Sequence, residues 1–103
     1  MTVGDAQKIY DETIRAFRSA GASLRCSDAK KHLEDLGFVI RDGKKGGHKL
    51  FGHNGIPGFY GGDYNCGHGK NPEIKPAYIR KILTVLDEYE EQIKEYLRRT
   101  QKV

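Results

Sequence analysis

Tryptophan is absent from this chain, and cysteine, proline and methionine are scarce: its 103 residues include two cysteines, three prolines and one methionine. Two cysteines are too few to define a disulfide framework, so we expect two free thiols. No apolar run approaches the roughly 18 residues of a membrane span. The opening residues, MTVGDAQKIY, lack the basic and apolar regions of a signal peptide. These absences predict a soluble, cytoplasmic protein with no membrane partner.

The chain is also too short to hold more than one small domain, which we place at 1–103. A core of this size excludes enzymes that join a cofactor-binding domain to a separate substrate domain. We therefore expect no cofactor. The sequence shows no internal repeat and no low-complexity segment.

Positive charge is concentrated in one part of the sequence. From Arg41 to Lys81 there are eight basic residues against three acidic ones, whereas the remaining residues have ten basic and eleven acidic. Three of the four histidines lie in the same segment. A local surplus of this kind is typical of a nucleic-acid-binding surface, although a solvated face that keeps the protein soluble is a common alternative.

Glycines and capping residues divide the first half of the chain into two helices and three strands. Asp5 can cap a first helix that ends before Gly21, and Ser27 can cap a second that ends at Gly37. Apolar patterns then predict strands at 38–41 and 48–53, joined by the turn DGKKGG, and a weaker strand at 59–66 that Gly61 and Gly62 interrupt.

The last third of the chain predicts one long helix. Pro76 suits its first turn, and apolar residues recur at a spacing of three and four up to about residue 102. Such a helix would be about 40 Å long, too long for three short strands to cover. Its second half must pack on the N-terminal helix, on a second copy of the chain or on a partner.

These elements predict an α+β fold in which helices cover one side of a small antiparallel sheet. The order α-β-β-β-α is that of the double-stranded-RNA-binding type of domain, here with an added N-terminal helix and a long C-terminal helix. Fold alone does not predict function.

Three segments, KKHLEDLGF, GKKGGHKLFGH and HGKNPEIKPAYIRKIL, resemble the HicA family, the small toxins of HicAB toxin–antitoxin modules. The resemblance covers about Lys30 to Leu83. It implies a HicA-like core at 27–86, an N-terminal helical extension at 1–26 and an extended C-terminal helix at 87–103. It also implies a ribonuclease that cleaves mRNA and is neutralised by a cognate HicB-like antitoxin.

The family's catalytic histidine corresponds to His48, which begins the second strand. Two departures concern its neighbours: Gly47 stands where serine is commonest, and Lys49 follows where many members have a second histidine. We predict that His48 is the general acid or base of a metal-independent endoribonuclease.

The residues around His48 suit that chemistry independently of the resemblance. RNA cleavage needs a base for the 2′-hydroxyl proton, an acid for the leaving oxygen and cations for the phosphate. Imidazole fits either proton role. Predicted substrate-binding residues are Lys44, Lys45, Gly46, Gly47, Lys49, His68 and Lys70.

A second acid or base is not identified by the sequence. Side chains alternate along a strand, so His48 and His53 should face opposite ways and not cooperate. If Leu50 and Gly52 mark the core face, a bulge at Gly52 would reset that parity. His68, in the turn after Cys66, is the better candidate.

Three other interpretations remain open. His48, His53, Cys66 and His68 could ligate zinc, but their spacing is not that of a paired-cysteine site, and we expect no metal. The basic segment could belong to an RNA-binding module without catalysis, with Phe59, Tyr60 and Tyr64 either stacking on bases or forming core. The long C-terminal helix could instead define a protein-interaction domain, or a homodimer through the terminal helices.

Overall fold

The computed structural model describes residues 3–19, 24–67, 69–70 and 72–100. Its elements, in chain order, are α1 (Val3–Ser19), β1 (Leu24–Arg25), α2 (Cys26–Asp35), β2 (Val39–Asp42), β3 (His48–Gly52), β4 (Gly62–Asn65), β5 (Glu73–Ile74), α3 (Pro76–Glu88) and α4 (Glu90–Thr100). This is an α+β fold of helices and small antiparallel sheets. None of its described helices is long and apolar enough to cross a membrane.

The main sheet is antiparallel with strand order β2-β3-β4. His48 pairs with Asn65 and Phe51 with Gly62, which fixes the face on which each side chain lies. Phe51 is 3% exposed and belongs to the core, whereas Leu50 is 38% exposed. The face that carries Phe51 is called the inner face below, and the face that carries Leu50 the outer face. The condition considered above, that Leu50 marks the core face, is therefore not met.

A second, two-stranded sheet pairs β1 with β5, and the sequence did not predict it. Its strands have only two residues each, too few for an alternating pattern to be recognised. The β1–β5 pair lies where Cys66 forms a bridge with Ile74, and it brings the start of α2 close to the end of β4.

Cys26 and Cys66 form a disulfide across this junction, with their Cα atoms 5.9 Å apart. The prediction of two free thiols was therefore wrong. The two cysteines are 40 residues apart in sequence, and they are brought together by the pairing of β1 with β5 and by the bridge between Cys66 and Ile74. Disulfides are characteristic of oxidising compartments. The disulfide therefore counts against the predicted cytoplasmic location. That location stays a prediction.

Both predicted helix caps in the first half of the chain were wrong. α1 begins at Val3, so Asp5 lies inside its first turn. The helix dipole still stabilises a carboxylate at that place. α2 begins at Cys26 with Arg25 as its N-cap residue, so Ser27 is helical. The pairing of Arg25 with Glu73 fixes where the strand ends and the helix begins.

The C-terminal helix is divided at Tyr89, where a single continuous helix was predicted. Tyr89 leaves helical geometry, with φ −106° and ψ 20°, and its ring packs at 5.1 Å from that of Phe59. Pro76 does occupy the first turn of α3, as predicted. The break contains no proline or glycine that would have predicted it.

The apolar stripe of α4 is covered by the chain's own N-terminal helix. α1 packs against α4, and Ile93 and Leu97 are fully buried with Tyr10 and Phe17 of α1. This was one of the packing alternatives that the sequence left open. A homodimer through the terminal helices stays a prediction, but this stripe is no longer available to form it.

Candidate active site

The turn between β2 and β3 places His48 by backbone hydrogen bonds at both of its ends. The Gly43 N–H donates to the His48 carbonyl at 2.8 Å, and the His48 N–H lies 3.1 Å from the Lys45 carbonyl and 2.9 Å from that of Gly46. Gly47 has φ +80°, and a Cβ there would lie 2.6 Å from the Cys66 carbonyl oxygen. Glycine is therefore required at position 47, and it leads the chain directly into β3.

His48 begins β3, as the sequence predicted, and its side chain lies on the outer face. Its Nε2 is 3.0 Å from Oδ2 of Asp63 on β4. Asp63 is the diagonal neighbour of His48 on the adjacent antiparallel strand, so the two side chains share a face and can reach each other. The histidine side chain is 31% exposed. It is thus held in place yet open to solvent.

Asp63 is itself held by a second cation. The Lys81 ammonium of α3 donates to Oδ1 of Asp63. This hydrogen bond, followed by the one from His48, lowers the pKa of the Asp63 carboxyl below its usual value. An ionised carboxylate only accepts hydrogen bonds, so Nε2 of His48 carries the hydrogen of their contact. In the neutral imidazole, the basic lone pair is then on Nδ1.

Gly43 makes room for that nitrogen. A Cβ at Gly43 would lie only 2.4 Å from Nδ1 of His48, so the imidazole rests against bare backbone. His48 and Gly43 also line a surface pocket together with Lys44, Lys45 and, from the outer face, Leu50 and Asn65. The basic ring nitrogen and two exposed lysines therefore border one pocket.

A second hydrogen bond anchors the far side of this pocket. Asn65 Nδ2 donates to the Tyr78 hydroxyl at 3.1 Å, and the Lys81 ammonium lies 5.5 Å from the centre of the Tyr78 ring. Tyr78 and Lys81 are one turn apart on α3, so this helix supports both Asn65 and Asp63. Supports of this kind fix the rotamers of side chains at a binding or catalytic site.

The predicted lysine cluster is divided between the two faces of the sheet. Lys44 and Lys45 are exposed in the turn beside His48, whereas Lys49 lies opposite Tyr64 and Asp42, on the inner-face side. Its ammonium is 2.5 Å from Oδ1 of Asp42. Strand alternation makes this separation unavoidable. Lys49 therefore does not lie beside His48.

The remaining predicted substrate-binding residues are spread around the turn. Gly46 and Gly47 belong to it, and both line a hollow on the side away from His48. Lys70 is exposed. His68 lies outside the described residues, so its proposed place as a second acid or base stays a prediction.

His48, which begins β3, and His53, which follows its end, face opposite ways, as strand parity predicted. His53 is 7% exposed, with its ring 4.8 Å from that of Phe38 and 4.5 Å from that of Tyr96. Its Nε2–H donates to the Leu36 carbonyl at 2.9 Å, and its Nδ1 accepts from the Gly55 N–H at 3.0 Å. Burial lowers the pKa of His53. This histidine is neutral and structural.

The structure brings together no group of three or more metal-ligating side chains within the residues it describes. Cys66 is bonded to Cys26, and His53 and His48 lie on opposite faces. Of the four residues considered as zinc ligands, at most two of those that the structure describes lie near each other.

Sequence reasoning missed the residues that hold His48 in place. Asp63 and Lys81 were counted only as charges of the basic segment, and Gly43 only as part of the DGKKGG turn. A usable signal existed for Asp63, because an acidic residue in the strand paired with that of a candidate histidine is a natural orienting partner. Lys81 carried no such signal, since only the docking of α3 brings it to the sheet.

Searches of this chain against protein-family models, curated protein sequences and solved structures gave no significant match. The site must therefore be interpreted from its own geometry.

Proposed function

We propose that this protein is a metal-independent endoribonuclease with His48 as its general acid or base. The observation that carries the proposal is the 3.0 Å contact between His48 and Asp63 beside a pocket bordered by Lys44 and Lys45. A carboxylate that fixes the tautomer of a half-exposed histidine, next to free cations, is a suitable arrangement for moving a proton near a phosphate.

The chemistry assigns a separate task to each group. Nδ1 of His48 takes the proton of the ribose 2′-hydroxyl, whose oxygen attacks the adjacent phosphorus. The bond from phosphorus to the 5′-oxygen breaks, and that oxygen receives a proton from water or from a second acid. The products are a 2′,3′-cyclic phosphate and a 5′-hydroxyl, and DNA is no substrate because it lacks the 2′-hydroxyl.

Lys44 and Lys45 stabilise the negative charge that builds on the phosphate, and Asp63 stabilises His48 once it is protonated. Lys81 keeps Asp63 ionised and fixed in this role. All of these groups are protein side chains, and the cycle uses no metal ion.

The fold order supports placing this activity in a HicA-like toxin. Apart from the two-residue strand β5 between β4 and α3, the elements from α2 to α3 come in the order α-β-β-β-α of the double-stranded-RNA-binding type of domain. Under this proposal the substrate is mRNA, and a HicB-like antitoxin silences the protein by covering the basic pocket at His48. An acidic antitoxin surface would complement Lys44 and Lys45.

A non-catalytic RNA-binding module is the second candidate, and one observation favours it. The Asp63 carboxylate is shared between His48 and Lys81, as in an ordinary surface ion-pair network. In that case Lys44 and Lys45 would bind phosphates, and His48 would be a contact residue.

Incubating the purified protein with single-stranded RNA in EDTA separates the two candidates. We expect cleavage to persist in EDTA and to fall at least about 100-fold in His48→Ala. A substrate with 2′-deoxyribose at the cleaved position should stay intact. His32→Ala, prepared in parallel, is the matched control because His32 lies on α2, away from the pocket, and it should keep full activity.

RNA binding without cleavage would refute the ribonuclease and support the module. Activity of His48→Ala within a few-fold of that of the unaltered protein would reject His48 as the proton-transfer residue.

A further inference from the structure

The disulfide between Cys26 and Cys66 lies directly beside the turn that places His48. The Cys66 N–H donates to the carbonyl of Gly47 at 2.8 Å, and Gly47 is the residue before His48. Cys66 also follows Asn65, which pairs with His48 and lines the pocket with it. The disulfide therefore ties down the end of β4 at the point where that strand supports the His48 site.

Backbone hydrogen bonds hold the same junction without the sulfur atoms. The Cys26 N–H donates to the Pro72 carbonyl at 2.9 Å. The Gly67 N–H donates to the Glu73 carbonyl at 2.8 Å, and the two-residue strands β1 and β5 pair beside it. Hydrogen bonds at the ends of such short elements open easily, whereas the packing of α1 on α4 does not involve the disulfide. Loss of the disulfide should therefore loosen the junction locally and leave the fold in place.

The surroundings of the two cysteines favour reduction of their bond. Both line the hollow on the side of the turn away from His48, and they are 7% and 5% exposed, so the bond borders solvent. Cys26 is the first residue of α2, and a helix start stabilises a thiolate. Lys30, one turn later, adds positive charge in the same hollow, which Asp28 does not line. A disulfide whose leaving thiolate is stabilised is reduced more readily.

We propose that the Cys26–Cys66 disulfide is a redox switch for the His48 site, which is ordered while the bond is intact and loosened when a dithiol reduces it. The consequence for RNA cleavage rests on the function proposed above, whereas the loosening itself does not.

Reduction proceeds by two thiol–disulfide exchanges. A thiolate of the dithiol attacks the Cys66 sulfur, the bond between the two cysteine sulfurs breaks, and Cys26 leaves as a thiolate. The second thiol of the dithiol loses its proton and attacks the mixed disulfide, and the released Cys66 sulfur takes up a proton. Two electrons have then passed to the protein, and the dithiol has become a disulfide.

Backbone order parameters from NMR relaxation test the loosening without RNA. The full-length protein is compared in its oxidised form and after reduction with dithiothreitol. We expect the order parameters of Gly47 and Cys66 to fall from about 0.85 to below about 0.6, and that of Ile93 in α4 to stay near 0.85. Unchanged order at Gly47 and Cys66 would overturn the proposal. An equal loss at Ile93 would also overturn it, because the disulfide would then stabilise the whole fold and not the junction.

The double variant Cys26→Ala with Cys66→Ala controls for other effects of the reductant. It should match the reduced protein at Gly47 and should not respond to dithiothreitol. A response of this variant to dithiothreitol would count against the disulfide as the switch. The comparison of the oxidised and reduced forms of the unaltered protein decides the proposal even where the double variant does not fold.

Lys30→Gln tests why the bond is reducible. After equilibration with mixtures of reduced and oxidised dithiothreitol, the equilibrium constant for reduction should fall about threefold, because the Cys26 thiolate loses a nearby positive charge. Lys31→Gln, at an exposed position of the same helix, is the matched control and should leave the constant unchanged. An equal change in both variants would overturn the role of Lys30.

RNA cleavage then connects the switch to the proposed function. Because a small displacement of a catalytic group is costly, we expect the cleavage rate to fall about tenfold on reduction. The double cysteine variant should cleave at the reduced rate with or without dithiothreitol. Equal cleavage by the oxidised and reduced forms would overturn the switch as a control of the site. Cleavage by neither form would refute the ribonuclease, and the order parameters would still decide whether the junction loosens.

Discussion

His48 begins β3 and His53 follows its end, five residues later, yet the two side chains lie in opposite surroundings. His48 faces the outer side of the sheet, half-exposed, with Asp63 on its Nε2. His53 is buried between Phe38 and Tyr96, and both of its ring nitrogens are hydrogen-bonded to backbone groups. Strand parity separates them, so that His48 stays in contact with solvent whereas His53 is enclosed.

The difference shows why a histidine's partners matter more than its neighbours in sequence. Both histidines follow glycine, in Gly47–His48 and Gly52–His53. At His53 the backbone takes up both nitrogens, so protonation would have to break the hydrogen bond from the Gly55 N–H. At His48 only Nε2 has a hydrogen-bond partner among the described residues, the Asp63 carboxylate. A half-exposed histidine, for which we propose catalysis, and a buried structural one thus arise from similar local sequences.

Replacing His53 should therefore have the largest effect on folding. His53→Ala leaves the Leu36 carbonyl and the Gly55 N–H without their partner and opens a cavity beside Tyr96. We expect the free energy of unfolding to fall by about 2–4 kcal/mol, measured by urea denaturation. His48→Ala is the matched control and should cost less than about 1 kcal/mol, since it removes only a solvent-screened contact.

Equal losses in the two variants would show that the environments of these histidines are not as different as their burial indicates.

The same comparison predicts a pH dependence that belongs to His53. Burial lowers its pKa in the folded protein, whereas the unfolded chain has an ordinary histidine pKa of about 6.5. As pH falls, the unfolded state therefore binds the proton first. The contribution of His53 to stability is complete above about pH 6.5 and is lost progressively as pH falls towards the folded pKa.

Urea denaturation at pH 8, 6 and 5 measures this loss, and it should be smaller in His53→Ala. The carboxyls of Asp42 and Asp63 have lowered pKa values, so their contributions are lost only at more acidic pH. An identical pH profile in the variant would mean that the loss comes from other groups.

These histidines also mark how far sequence reasoning reached. The strand start at His48, the opposite directions of His48 and His53 and the α+β class followed from alternation and turn residues, which are local. The inner face was left open by the sequence, because Leu50 and Phe51 are both apolar and only packing distinguishes them. Asp63, Lys81 and the Cys26–Cys66 pair depend on contacts between distant segments, which no local pattern encodes.

The smallest effect expected is on the salt dependence of RNA binding, and it tests whether RNA lies on the His48 side of the turn. Lys44 and Lys45 line the pocket with His48. Changing both to glutamine should reduce the slope of log affinity against log salt by about 1.4, since each contact with a single-stranded phosphate contributes about 0.7. Filter binding at several salt concentrations, with cleavage blocked by His48→Ala, gives the slope.

The matched control changes Lys8 and Lys31 to glutamine, which removes the same charge from exposed positions of α1 and α2. A general electrostatic effect of net charge would lower the affinity of both double variants alike. A phosphate contact is local, so only the Lys44 and Lys45 variant should lose slope. Equal slopes in the two variants would place the RNA away from His48, and the assignment of that histidine to catalysis would then fail with the lysines.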